Sequence, residues 1–235
     1  MSEIIYGRNA VKEALENGRV EKIIALANHE FLKLAEERKI PFEVVNRARL
    51  DKLTRSGNHQ GVLAYAKEFH LSTVEEMLKK ENGLIVVLDG IQDVHNLGAI
   101  IRTCECAGAD GLIYKKHGSA HLNDTVSKVA CGALEYLKVA EVANVVNTLK
   151  KLKEAGYWVV GSSGYAKQSY DDLNYDFNTV LVIGSESDGM SRLVTEECDY
   201  TVKLPLQGKT ESLNASVSAG ILIYEVLEKR GIKAK

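Results

Sequence analysis

The sequence predicts an α/β protein whose larger part is a parallel sheet with flanking helices. That expectation rests on three features. From Leu84 onward, apolar runs and helix-period segments alternate regularly along the chain. Two of those runs, LIVVL at 84–88 and VLVIG at 180–184, are continuous apolar runs, as strands covered on both faces should be. The composition is that of an ordinary globular chain: 235 residues, 45% hydrophobic, 26% charged and 2 Pro.

The elements follow in order. Residues 4–17 (IIYGRNAVKEALEN) carry apolar positions at helical spacing and end at Gly18. Short strands at 22–27, 42–45 and 62–66 alternate with helices at 29–39 and 47–54, so residues 1–68 read as a compact α/β unit. The segment 69–82 reads as a linker with a short helix. Ser72 or Thr73, with Glu75 or Glu76 three residues on, offers it a capping box. The second domain then spans 83–235. Its strands are expected at 84–89, 111–114, 136–140, 157–161, 179–184 and 200–204. Its helices are expected at 97–107, 123–132, 142–155, 189–197 and 213–230.

Composition narrows the function. No apolar stretch approaches the roughly 20 residues that span a bilayer. The start has Glu3 and no apolar signal core, so a cytoplasmic location is expected and no membrane partner. The 4 Cys form no C-x-x-C pair, which points to buried free thiols rather than a metal site. Net charge is −2, with +2 on residues 1–80 and −4 on the remainder. G-x-G-x-x-G and the P-loop are missing, which weighs against a nicotinamide oxidoreductase and a P-loop ATPase, and no H-E-x-x-H metal signature appears.

Ligands in parallel α/β sheets collect at the carboxyl ends of strands. Three polar segments lie there: HNLGAIIR (95–102), IGSESDGM (183–190) and LPLQGKTESLNASVSAG (204–220). They offer Asn96, Arg102, Glu186, Ser212 and Asn214, with glycines that allow close backbone approach. Each has a structural role open to it. Asn96 can cap the helix after it, and Ser212 and Asn214 can cap the last helix. Arg102 can be an ion-pair partner, and Glu186 can solvate a turn. In the first domain Arg47, Arg49, Lys52 and Arg55 gather with only Asp51 opposing, which suits phosphate contact or a solvated helix face.

Taken in order, the three segments resemble the signature motifs of the SpoU/TrmH family of RNA ribose 2′-O-methyltransferases, of the SPOUT superfamily. Asn96, Gly98 and Arg102 match the first motif, although Val94 stands where the family has proline. Gly184 and Glu186 match the second. Leu204, Pro205, Gly208, Ser212, Leu213 and Asn214 match the third. The N-terminal YGRNAV and the later HQG (59–61) are similar to the small αβα RNA-binding domain of RlmB-type 23S rRNA guanosine 2′-O-methyltransferases.

The resemblance implies a C-terminal trefoil knot, a homodimer and no metal. It also implies S-adenosylmethionine as cofactor, gripped near Gly184, Leu204, Pro205, Gly208 and Leu213. Arg102 is the implied catalytic residue, supported by Asn96, Glu186, Ser212 and Asn214, with RNA, most of all 23S rRNA, as substrate. A tRNA ribose methyltransferase and a non-catalytic RNA-binding ribosome-assembly factor stay open as alternatives.

Overall fold

The structure is a computed structural model that describes residues 2–67 and 69–232. The chain opens with strand β1 (Ser2–Tyr6), not with the helix its spacing predicts. Ile4, Ile5 and Tyr6 are β-formers that pair antiparallel with the end of the first unit. Gly7, at φ +93°, then turns the chain into helix α1 (Arg8–Glu16). Next come β2 (Val20–Ala25), α2 (Glu30–Glu37), β3 (Phe42–Val44), α3 (Arg47–Leu53) and β4 (Val62–Lys67). The sheet order is β1-β4-β2-β3; β2 and β3 are parallel and the other pairs antiparallel. Val11, Leu15, Ile23, Phe31, Ala35 and Ala64 sit in its core.

From 84 the chain alternates as the sequence predicts. It forms β5 (Leu84–Asp89), α4 (Val94–Cys106), β6 (Gly111–Lys115), α5 (Asp124–Ala130), β7 (Val139–Val142), α6 (Val145–Glu154) and β8 (Trp158–Ser162). A two-residue strand β9 (Gln168–Ser169) precedes β10 (Thr179–Gly184), α7 (Arg192–Glu197), β11 (Tyr200–Lys203) and α8 (Ala215–Lys229). The strands form one sheet in the order β7-β6-β5-β10-β8-β11-β9, and every pair is parallel. Every residue of β5 and β10 is buried. On one face Ile85, Val87, Val180 and Val182 pack on Leu149, Leu152 and Val194 of α6 and α7. Helix α8 packs on α4 and β10. The chain is therefore α/β with a parallel sheet and flanking helices.

Three further details depart from expectation. The chain divides into two compact units, and the segment 123–135 groups with the first rather than with the domain that surrounds it in sequence. Charge explains the attachment: Glu135 pairs with the guanidinium of Arg19, and Lys128 Nζ stands 5.5 Å from the centre of the Tyr6 ring. The linker helix is one 3-10 turn (Glu75–Met77), and of the expected capping box only the reach-back exists, with Thr73 N–H donating to Glu76. Among the described residues the cysteines form no disulfide; Cys104 is buried as expected, whereas Cys106 and Cys131 are exposed and Cys198 is half-buried. Among the described residues, no helix is long and apolar enough to cross a membrane.

Candidate active site

The carboxyl ends of β5 and β10 lie side by side, with Asp89 opposite Gly184. Two loops leave from them. The first runs from Gly90 into α4, whose N-cap is Asp93; its carboxylate accepts from His95 N–H at 2.7 Å. Asn96 is therefore not the cap. It lies in the first helical turn and is buried. Val94 is the first helical residue, the position where proline fits because its missing N–H has no helical partner.

The second loop follows Gly184. A Cβ there would run into the backbone of Gly189 and Met190, because the chain doubles back at once. Ser185 N–H donates to Gly189 O at 2.9 Å and Gly189 N–H returns to Ser185 O at 3.1 Å. This tight turn lifts Glu186 out of the strand end. Asp89, buried at the end of β5, accepts from Ser191 N–H at 2.8 Å and so ties the far side of the loop to the sheet. Sequence reasoning missed Asp89; its one signal was a carboxylate closing a buried apolar strand.

A third segment arrives from β11 and ends at α8, where Asn214 is the N-cap. The three meet through side chains. Asn96 Nδ2 donates to Glu186 Oε1 at 2.9 Å, and Asn214 Nδ2 donates to Asn96 Oδ1 at 3.0 Å. Asn214 Oδ1 accepts from Ser216 N–H at 2.9 Å and from Ser216 Oγ at 2.6 Å. Glu186 Oε2 accepts from Gln92 N–H at 3.3 Å. An ionised carboxylate only accepts, so Asn96 must turn its NH₂ toward Glu186 and its oxygen toward Asn214. The charge thus sets the polarity of the whole chain, through to the N-terminus of α8. Burial pushes the Glu186 carboxyl up. Hydrogen bonds from Asn96, from its own N–H and from the Gln92 and Asp93 backbone outweigh this and hold it below the usual carboxylate range.

The other expected residues fall into separate groups. Ser212 is exposed two residues before the cap and lies outside this hydrogen-bonded chain. Arg102 is exposed on α4, and with His95 and Cys106 it makes an outward stripe at helical spacing. Leu204, Pro205 and Gly208 lie in the 204–213 stretch, where Leu206 (42% exposed) and Leu213 (39%) stand out as apolar. The same stretch holds Gly208, which has nothing within 4 Å of an added Cβ, so a ligand can approach its main chain closely while the exposed leucines offer apolar contact. That fits a nucleoside cofactor.

In the first unit, Arg47, Arg49, Lys52 and Arg55 are all exposed on α3 and the turn after it. Arg49 is paired with Glu43 at 3.2 Å, while Arg47 lines a cleft of about 630 Å³ with Arg8, Asn28, His29 and Gln60. Buried His59 braces that cleft: Nδ1 accepts from Gly61 N–H at 2.9 Å, which leaves Nε2 to donate to Asp51 at 3.0 Å. Among the described residues, no group of three or more His, Cys, Asp or Glu side chains is placed to hold a metal ion.

A family model for the SpoU rRNA methylase family matches residues 83–224, and one for RNA 2′-O ribose methyltransferase substrate binding matches residues 4–72. YacO of Bacillus subtilis strain 168, assigned to the TrmH family of tRNA/rRNA methyltransferases, is 38% identical over 240 residues, 97% of this chain and 96% of that protein. A protein of Staphylococcus aureus strain COL with the same assignment is 39% identical over 239 residues, with the same coverage.

Among solved structures, the SpoU methyltransferase AviRb from Streptomyces viridochromogenes, in complex with AdoMet, superposes with a TM-score of 0.83. It is 26% identical, over 99% of this chain and 92% of that one. The A. aeolicus TrmH/SpoU tRNA modifying enzyme has a TM-score of 0.58 and 30% identity, over 67% of this chain and 82% of that one. The motif loops that meet at Asn96 lie within the matched span, and the chain belongs to the SpoU rRNA methylase family.

Proposed function

We propose that this protein transfers a methyl group from S-adenosylmethionine to the ribose 2′-OH of a guanosine in 23S rRNA. The observation that carries the proposal is the Asn214–Asn96–Glu186 chain, which locks three separate strand-end segments into one site. The substrate-binding match over the N-terminal unit supports RNA as partner. AviRb, which was crystallised with AdoMet, supports the cofactor. We place the reaction in the cytoplasm.

The bound cofactor supplies a sulfonium methyl, already a strong electrophile. The residues of this chain must ready the nucleophile, since a sugar hydroxyl is scarcely ionised at neutral pH. Gly184, Leu204, Pro205, Gly208 and Leu213 hold the cofactor by main chain and apolar contact. Asn96 and Glu186 direct their polar groups at one another and at the loops, so they are positioning residues. Ser212 and Asn214 place the ribose or the cofactor loop. Arg102 stabilises the alkoxide as it forms and grips the neighbouring phosphate bidentately. A guanidinium is a poor base in water, so the electrostatic role is preferred. A rate that stays flat with pH, nearly abolished in Arg102→Lys, is the expected result; a rate set by titration of Arg102 contradicts it.

The proposal includes a homodimer. Val217, Ile221 and Tyr224 recur at helical spacing along one side of α8 and are 37–52% exposed, an apolar stripe suited to a second copy. It also includes the trefoil knot, supported by the return of the chain from β11 past β8 and β10 to α4. Arg47, Arg49, Lys52 and Arg55 would contact RNA phosphates.

A tRNA substrate is the second reading, favoured by the likeness to the A. aeolicus tRNA modifying enzyme. Labelled S-adenosylmethionine offered to unmodified 23S rRNA and to bulk tRNA separates the two. Label at one rRNA guanosine is expected; label in tRNA alone would reject the rRNA assignment.

A further inference from the structure

Strand β6 ends in the loop KKHGSAH, residues 115–121, to which the site described above assigns no task. The loop is an arch pinned at both feet and at its crown. Lys116 N–H donates to Val142 O at 2.8 Å, and Ser119 Oγ donates back to Lys115 O. Ala120 N–H donates to Ile91 O at 2.7 Å. Gly118, at φ +74°, puts its carbonyl oxygen 3.7 Å from where a Cβ on Gly90 would stand. Gly90 and Ile91 lead straight into Gln92, whose N–H is held by Glu186. The arch therefore leans on the loop that presents Asn96.

With its backbone fixed, the arch turns its charge outward. Lys116, His117 and His121 are exposed and Lys115 is half-buried. Glu141 opposes them: it accepts from Tyr114 OH at 3.2 Å and lies 3.5 Å from both Lys116 Nζ and His121 Nδ1. One carboxylate against two lysines leaves net positive charge beside the Asn96 loop. Ion pairs this exposed contribute little to folding, so the lysines are there at small structural cost.

We propose that this arch is a phosphate clamp for the RNA strand, with Lys115, Lys116 and His117 holding the backbone next to the ribose delivered to the Asn96 loop. The inference rests on the RNA reading above. Phosphate contacts carry no sequence information but set the register of the strand. A rigid arch makes that contact with little ordering cost, which loose side chains on a mobile loop would not.

The test is the salt dependence of RNA binding, with unmodified 23S rRNA as probe. For each phosphate no longer neutralised, the slope of log K against log salt should flatten by about 0.7–0.9. The double variant Lys116→Ala/His117→Ala should flatten it by the equivalent of about one to two phosphates and raise the RNA KM about tenfold, with a smaller fall in kcat. Lys116→Arg should keep the wild-type slope. Glu141→Gln removes the opposing charge yet keeps an acceptor for Tyr114, so it should tighten binding. An unchanged slope in the double variant, or weaker binding in Glu141→Gln, overturns the clamp. Because slope is read from binding alone, a wild type that binds but methylates nothing would sink the catalytic reading and leave the clamp testable.

Discussion

Replacing Asn96 with alanine cuts the middle out of the Asn214–Asn96–Glu186 chain. Asn96 is 5% exposed and makes one bond to a carboxylate at 2.9 Å and one from an amide at 3.0 Å. A hydrogen bond to a charged group contributes about 1.5–3 kcal/mol and a neutral one about 0.5–1.5 kcal/mol. Glu186 and Asn214 are exposed and regain water once Asn96 is gone, so the low ends apply, about 2 kcal/mol together. Alanine's better helix propensity returns about 0.5 kcal/mol. The net loss is about 1.5 kcal/mol, or about 3–6 °C in Tm for a chain of this size.

The pH dependence has a definite sign. Glu186 is held below the usual carboxylate range, so its contribution is present above the unfolded value of about 4.3 and fades as pH falls through the lower folded value. Asn96 supplies part of that effect. The gap between wild type and Asn96→Ala should be widest near pH 7 and narrow below about pH 4. Urea unfolding at neutral and acid pH measures it. A gap under about 0.5 kcal/mol at pH 7, or one that does not change with pH, would mean that Asn96 does not hold the Glu186 charge.

Three further outcomes are expected. Gly184→Ala forces a Cβ into the Gly189–Met190 backbone, so the turn that carries Glu186 must open; calorimetric affinity for S-adenosylmethionine should drop more than about tenfold. Arg230 donates to Tyr175 O (2.9 Å), Asn82 O (2.8 Å), Phe177 O (2.7 Å) and Thr179 Oγ1 (2.9 Å), and Arg230→Met should cost about 3 kcal/mol in urea unfolding while leaving cofactor affinity alone. Val94→Pro should be accepted at the first helical position and gain about 0.4–1 kcal/mol, with wild-type activity; a loss of stability would mean that the Val94 N–H is in use.

Much of the fold was legible because local pattern decided it. The runs at 84–89 and 179–184 became β5 and β10 with the expected bounds, since strands buried on both faces have no competing amphipathic reading. Residues 4–17 misled because Ile4, Ile5 and Tyr6 happen to fit the helical period of α1 while their partner, β4, lies some sixty residues away. The strand expected at 136–140 begins only at Val139, because Ala133–Glu135 forms a 3-10 turn just before it. The two-residue β9 is too short for any pattern to register.

The site was legible in part for a similar reason. Asn96, Glu186 and Asn214 could be placed at strand ends one at a time. Their meeting depends on β10 inserting beside β5 and on α8 returning to α4, which no local pattern carries. The attachment of 123–135 to the first unit is likewise set by the Arg19–Glu135 pair, between residues over a hundred positions apart.

The ribose 2′-O methylation proposed for the Asn96–Glu186–Asn214 centre would differ from every base methylation in the linkage it leaves on the RNA. RNA labelled from S-adenosylmethionine would be hydrolysed in alkali, which needs a free 2′-OH beside each phosphate. Label is expected in an alkali-resistant dinucleotide whose 5′ residue is guanosine, and it should disappear in Arg102→Ala. Label released as an ordinary mononucleotide would put the methyl group on a base and overturn the assignment of a ribose nucleophile to this site.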